Sequence, residues 1–168
     1  MENYTRDLQS KSEDLKTLTF SICTNNPYTR NSEKYGEYDE ILTISNDAID
    51  WSRLSSGHCA FLKDHDQRFV LGVITKAWVE GNEVKVNVKF SERAEKYVKD
   101  IEDGIMTCTS IGYNIDEFHW ENINGRKSMI VDRYMIYEAS LVRSPCRYFL
   151  RVQQKFGYEY GRRKQEKL

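Results

Sequence analysis

Alternation of apolar and polar positions predicts strands over most of this chain. TLTFSICT (residues 17–24) alternates throughout, and FVLGVITKAWVE and EVKVNVKF do so on either side of Gly81-Asn82, the strongest hairpin signal in the sequence. A further run, MTCTSIGYNI (106–115), is followed by EFHWEN, a turn at Asn124-Gly125 and a return through KSMIVDRYMIYEASLVRSP, where Pro145 interrupts strand pairing. Two segments carry helical spacing instead. SERAEKYVKDIEDG (91–104) puts Ala94, Tyr97, Val98 and Ile101 on one stripe, with Ser91 as cap and Gly104 as a left-handed stop. NDAIDWSRLSSG (46–57) spaces Ile49 and Leu54 as a short helix would, between Asn46 as cap and Gly57 as stop. The stretch TNNPYTRNSEKYGEYD (24–39) reads as a long turn-rich loop leading into extended EILTIS, and a loop of that length is expected to cover a substrate groove. The expected fold is mainly β with two peripheral helices (α+β). An antiparallel barrel, closed or nearly closed, is the natural closure, since so many neighbouring strands would otherwise leave edges exposed.

Composition narrows the partners more than the fold. With 168 residues, 39% of them hydrophobic, the chain is long enough for one domain with a real core. We place that domain at 17–150, between a polar N-terminal arm (1–16) and a polar, basic C-terminal tail (151–168). Net charge is -1, from 25 basic and 26 acidic residues, which gives no electrostatic drive toward nucleic acid or membrane. No run is long enough to span a bilayer, and MENYTRDLQSKSEDLK lacks the apolar stretch of a secretory signal. Cys23, Cys59, Cys108 and Cys146 form no CxxC pair, which fits a reducing cytosolic setting. His58, His65, Cys59 and Cys108 have none of the local spacings of a zinc site, so neither metal nor cofactor is expected.

Three residues do not read as packing. His65 lies in LKDHDQ, between two strands and bracketed by Asp64 and Asp66; it is either a loop histidine satisfied by carboxylates or a base, with His58 and His119 as competitors. Ser110 shares a strand face with Cys108 and Gly112, opposite Thr109, Ile111 and Tyr113; it either relieves crowding or is a nucleophile, with Gly112 leaving room for a substrate backbone. Glu138 interrupts YMIYEASLV and needs a partner, either an imidazole N–H or an arginine such as Arg143, unless it lies with Ile136 and Ser140 on an outer face. Neither Cys108 nor Cys59 has a setting that favours a thiolate, which makes a cysteine nucleophile the poorer reading.

Taken in order, LKDHDQRFVLGVI, VKVNVKFSERAEKYVKDIEDGIMTCTSIGYNI and YEASLVRSPC resemble the prohead maturation serine proteases of tailed bacteriophages, which are similar in fold to the herpesvirus assembly proteases. The resemblance covers about residues 18–150. It implies a herpesvirus-protease-like barrel and a catalytic Ser-His pair at Ser110 and His65, with Glu138 as third member where herpesvirus relatives use a second histidine. By the same analogy, the oxyanion donor is a main-chain N–H around Arg143 and Ser144. The implied substrates are scaffold protein or scaffold region, extensions of the major capsid protein and the chain itself, cut inside the assembling prohead in the host cytoplasm, with self-association allowed. The competing class is a non-catalytic shell or scaffold component on the same barrel; a nucleic-acid-binding barrel has only the basic GRRKQEKL in its favour.

Overall fold

A computed structural model describes residues 16–143. The proposed arm and tail, Ser144, Cys146 and any self-processing site in the termini lie outside these residues. Nine strands form one mixed sheet: β1 (Thr17–Thr24), β2 (Tyr28–Ser32), β3 (Gly36–Leu42), β4 (Ile49–Asp50), β5 (Ala60–Lys63), β6 (Asp66–Glu80), β7 (Glu83–Phe90), β8 (Cys108–Ile123) and β9 (Arg126–Val142). One helix, α1 (Glu95–Glu102), follows a single 3-10 turn. Among the described residues, no helix is long and apolar enough to cross a membrane.

The 17-residue β9 organises the sheet. Its partner along one edge is β8, antiparallel, closed by Asn124 (φ 52) and Gly125 (φ 80) in a two-residue turn that needs left-handed backbone at both positions. Along its other edge lie β3, β4 and β5 in succession, all parallel to it. The sheet then continues from β5 through β6 and β7 to β1, and from β3 to β2.

This corrects the closed antiparallel barrel. The strand path ends at β1 and β2 with β8 pairing only β9, among the described residues no ladder joins these ends into a barrel, and a herpesvirus-protease-like fold is not shown. Near β1 the sheet curls far enough for the Thr109 hydroxyl on β8 to donate to the Ser21 carbonyl at 2.8 Å, but this seam is a side-chain bond and not a strand pair. The edge argument failed because open edges are tolerated when short, polar or bulged: β2 reads YTRNS, and β1 carries a bulge between Ser21 and Cys23.

Two local expectations also change. Residues 46–57 form no α-helix, because Ile49-Asp50 pair with Tyr134-Met135 and the Tyr134 N–H donates to Ala48 O; only a 3-10 turn at Leu54–Ser56 remains, ended by Gly57 at φ 74. Parallel pairing on a buried strand outweighs weak helical spacing. Residues 24–39 are not a long covering loop: β2 and β3 form a hairpin whose three-residue turn, 33–35, leads into Gly36 (φ 69), and β3 joins the sheet.

The core gathers side chains from several strands and from α1. Phe20, Phe61 and Phe90 from three strands meet with ring centroids 5.0 to 6.0 Å apart, while Val98 and Ile101 of α1 are buried. Gly72 marks a close approach between β6 and β7: a Cβ there would stand 2.3 Å from the Lys89 carbonyl oxygen and 3.0 Å from Phe90 Cα. Since both are backbone atoms, Gly72→Ala should destabilise the domain by about 1–3 kcal/mol or more. Chemical denaturation that finds its midpoint unchanged would show that the curl does not depend on that position.

Candidate active site

The β8–β9 ladder sets Ser110 opposite Ser140 and Gly112 opposite Glu138. Directly paired residues share a face, so Ser110, Ser140 and Glu138 lie together on the side away from the core, while Thr109 and Ile111 pair with the buried Leu141 and Ala139. Beyond Glu138 the register slips by one, with Tyr113 opposite Ile136 and Tyr137 the extra residue. This bulge switches the parity of the strand. Tyr134 and Ile136 fill the core before it, and Ala139 and Leu141 after it, all fully buried. Glu138 is thereby turned out of the core phase onto the face of Ser110, and the reading that places Ile136 on its face is corrected.

His65 reaches the same face from the β5–β6 turn. Asp64 (φ 51) and His65 (φ 59) are its two central residues, and Lys63 pairs with Asp66 to close it. Left-handed backbone at non-glycine residues costs about 1–2 kcal/mol each, though Asp and His bear it better than most. Three bonds to the β9 end hold it: Asp64 N–H to Leu141 O at 2.9 Å, His65 N–H to Ser140 Oγ at 3.1 Å, and Arg143 N–H to Asp64 Oδ1 at 3.1 Å. Burial pushes the Asp64 carboxyl up, but the Lys63 ammonium, the Arg143 N–H and both positive charges outweigh it and hold the group below the usual carboxylate range.

The three side chains then meet. His65 Nδ1 lies 2.5 Å from Glu138 Oε1, and the Ser140 hydroxyl donates to Glu138 Oε2 at 2.8 Å. Ser140 is fully buried and acts as the hub, accepting the His65 N–H, donating to Glu138 and facing Ser110 across one strand spacing of about 5 Å. Sequence reasoning gave Ser140 no part in this arrangement, although a Glu-x-Ser pair on one face of a strand was its available signal. Arg143 is not the partner of Glu138; its side chain points to Asp64 at 3.6 Å. Its N–H, expected as an oxyanion donor, is occupied by Asp64 in this state.

The competing residues sit elsewhere. His119 is held by Asp132 Oδ2 at 2.7 Å and Glu121 Oε1 at 3.0 Å, nine residues and so about 30 Å along β8 from Ser110. His58 is exposed beside its own turn, where its N–H donates to Ser56 Oγ at 3.0 Å. Cys59 is fully buried, and burial pushes its thiol up to about 11, the opposite of an activated thiolate. Thr109 is buried and bonded into the seam, as its strand face implies.

Gly112 serves a different purpose from the one expected. A Cβ at Gly112 would lie 2.5 Å from the Tyr137 ring and 2.6 Å from Glu138 Oε1, so the room is filled by the site's own side chains and not left for substrate. Gly112→Ala must therefore push the carboxylate away from His65. We expect the variant to fold, because the obstructing atoms are side-chain ends, and to lose about 10-fold or more of any His65-dependent activity. Full activity would show that the carboxylate position is not critical.

Comparison with known proteins gives a family and a relative. A profile of the family described as caudovirus prohead serine protease matches residues 8–158. A protein named major capsid protein, from Halomonas phage phiHAP-1, is 36% identical over 110 residues, covering 61% of this chain and 18% of that protein. The chain thus spans less than a fifth of that relative's length. No solved structure matches.

Proposed function

The chain belongs to the caudovirus prohead serine protease family, and from that premise we propose that it is a serine endopeptidase acting during capsid maturation. The observation that carries the reading is the His65–Glu138 pair at 2.5 Å, held through Ser140 beside Ser110. A carboxylate on Nδ1 fixes that nitrogen as the N–H and leaves Nε2 with a lone pair. His65 then takes the Ser110 proton as the hydroxyl oxygen attacks the scissile carbonyl, and Glu138 stabilises the imidazolium. The same Nε2–H protonates the leaving amine, and water, activated in turn by His65, releases the acyl group and restores Ser110.

The substrates we propose are scaffold protein or scaffold region and extensions of the major capsid protein, together with the chain's own termini, cut within the assembling prohead. The relative's name supports a capsid setting. That name also favours a second reading, a non-catalytic shell component. Co-expression with the phage's scaffold and capsid proteins separates the two: a protease trims them in the native chain and not in Ser110→Ala, whereas a shell component leaves both unprocessed.

A further inference from the structure

Glu138 is dry for a carboxylate that faces away from the core: its side chain is 11% exposed, against 41% for the His65 side chain bonded to it. A carboxylate in such a place needs donors to satisfy it and neighbours to cover it. His65 and Ser140 supply the donors. The cover on the Gly112 side is the ring of Tyr137.

Tyr137 is the extra residue of the β9 bulge, so Tyr137 and Glu138 together oppose the single Gly112. A Cβ at Gly112 would project onto the face of Ser110, and from that point Tyr137 Cε2 lies 2.5 Å, Tyr137 Cζ 2.7 Å and Glu138 Oε1 2.6 Å away. Ring and carboxylate therefore close on one spot, over a glycine that is itself buried. Oε1 is the oxygen bonded to His65 Nδ1. Beyond the ring, a cavity of about 510 Å³ has Gly112, Asn114 and Tyr137 among its walls, whereas Glu138 does not line it. The ring stands between that cavity and the carboxylate. Its backbone is tied inward, since the fully buried Cys59 donates its thiol hydrogen to Tyr137 O at 3.5 Å.

Resting on the endopeptidase reading for its consequence in catalysis, we infer that Tyr137 is a positioning residue whose ring keeps water off Glu138 Oε1 and so holds the carboxylate on His65. Water competes for both ends of a hydrogen bond, and a drier surrounding strengthens it. The aromatic body does this, not the hydroxyl. Glu138 makes its hydrogen bonds to His65 and Ser140, and none joins it to the Tyr137 hydroxyl. Tyr137 lies outside the core cluster and is 41% exposed, so truncating it opens the cavity to the carboxylate without removing a core side chain.

Proton NMR tests the inference without relying on turnover, because an imidazole N–H held on a carboxylate resonates far downfield and is seen only where exchange with water is slow. We expect one such signal in the native chain, assigned to His65 by its loss in His65→Gln. Tyr137→Phe should keep it, and Tyr137→Ala should broaden it away. In cleavage assays Tyr137→Ala should lower kcat about tenfold with KM within about twofold, and Tyr137→Phe should restore the native kcat. Should Tyr137→Ala unfold in a thermal scan, Tyr137→Val gives the same comparison. Absence of the signal from the native chain, or a signal as sharp in folded Tyr137→Ala as in the native chain, would overturn the inference. Loss of the signal in Tyr137→Ala, in a protein whose native form cuts no substrate, would sink the endopeptidase reading and leave the shielding role standing.

Discussion

Ser110→Ala should abolish cleavage of the capsid and scaffold substrates, by about 10³–10⁶-fold, without altering the fold. Ser110 is half-buried on the outer face of β8, opposite Ser140 and away from the core, so loss of its hydroxyl removes no core contact. Its hydroxyl is the group that would form and break the acyl bond, and no neighbouring side chain replaces it: Thr109 faces inward, with its hydroxyl bonded to Ser21 O, and Ser140 is buried beneath the His65 turn. Intact-mass analysis of co-expressed substrate, with circular dichroism of the variant, reads both halves of the prediction. Substrate trimmed at the native rate would assign the chemistry to another residue.

Glu138→Gln should lower kcat by about 10²–10⁴-fold, the range set by amidation of the acid in a serine-protease triad. The present carboxylate satisfies two donors at once, the His65 ring N–H and the Ser140 hydroxyl. A carboxamide has one oxygen for the two. If that oxygen meets His65, the NH2 faces Ser140 and leaves the hydroxyl proton without its acceptor; if the group flips, the NH2 donates to Nδ1 and moves the imidazole proton to Nε2, where it blocks uptake from Ser110. Both outcomes penalise catalysis, the second most severely. Circular dichroism and a thermal scan of the variant separate this from a packing defect. Native kcat in the folded variant would remove Glu138 from the mechanism.

The sequence made the regular antiparallel parts legible and left the irregular ones hidden. TLTFSICT is β1, the Gly81-Asn82 and Asn124-Gly125 turns fall where written, and Ser110 shares a face with Gly112, because period-two alternation and turn chemistry are local properties. The β2–β3 hairpin was hidden by its own polarity, since an edge strand reading YTRNS has no alternation to detect. The parallel docking of β3, β4 and β5 on β9 is a long-range choice that no local window contains.

The site shows the same division. His65, Ser110 and Glu138 stood out chemically, but what unites them is not written in any one segment. The bulge at Tyr137 changes which parity of β9 faces the core, and two left-handed residues at 64 and 65 turn the imidazole over that face. Ser140, which bonds to both, reads in sequence as an ordinary small strand residue. Bulges and strained turns depend on tertiary support, and such departures from local rules concentrate where chemistry is done.

Labelling with a fluorophosphonate, which reacts preferentially with an activated serine, tests the central claim most directly. We predict one adduct per chain, mapped by peptide mass spectrometry to Ser110 and lost in His65→Ala. An adduct on any other residue, or labelling of Ser110 that persists undiminished without His65, would contradict the account.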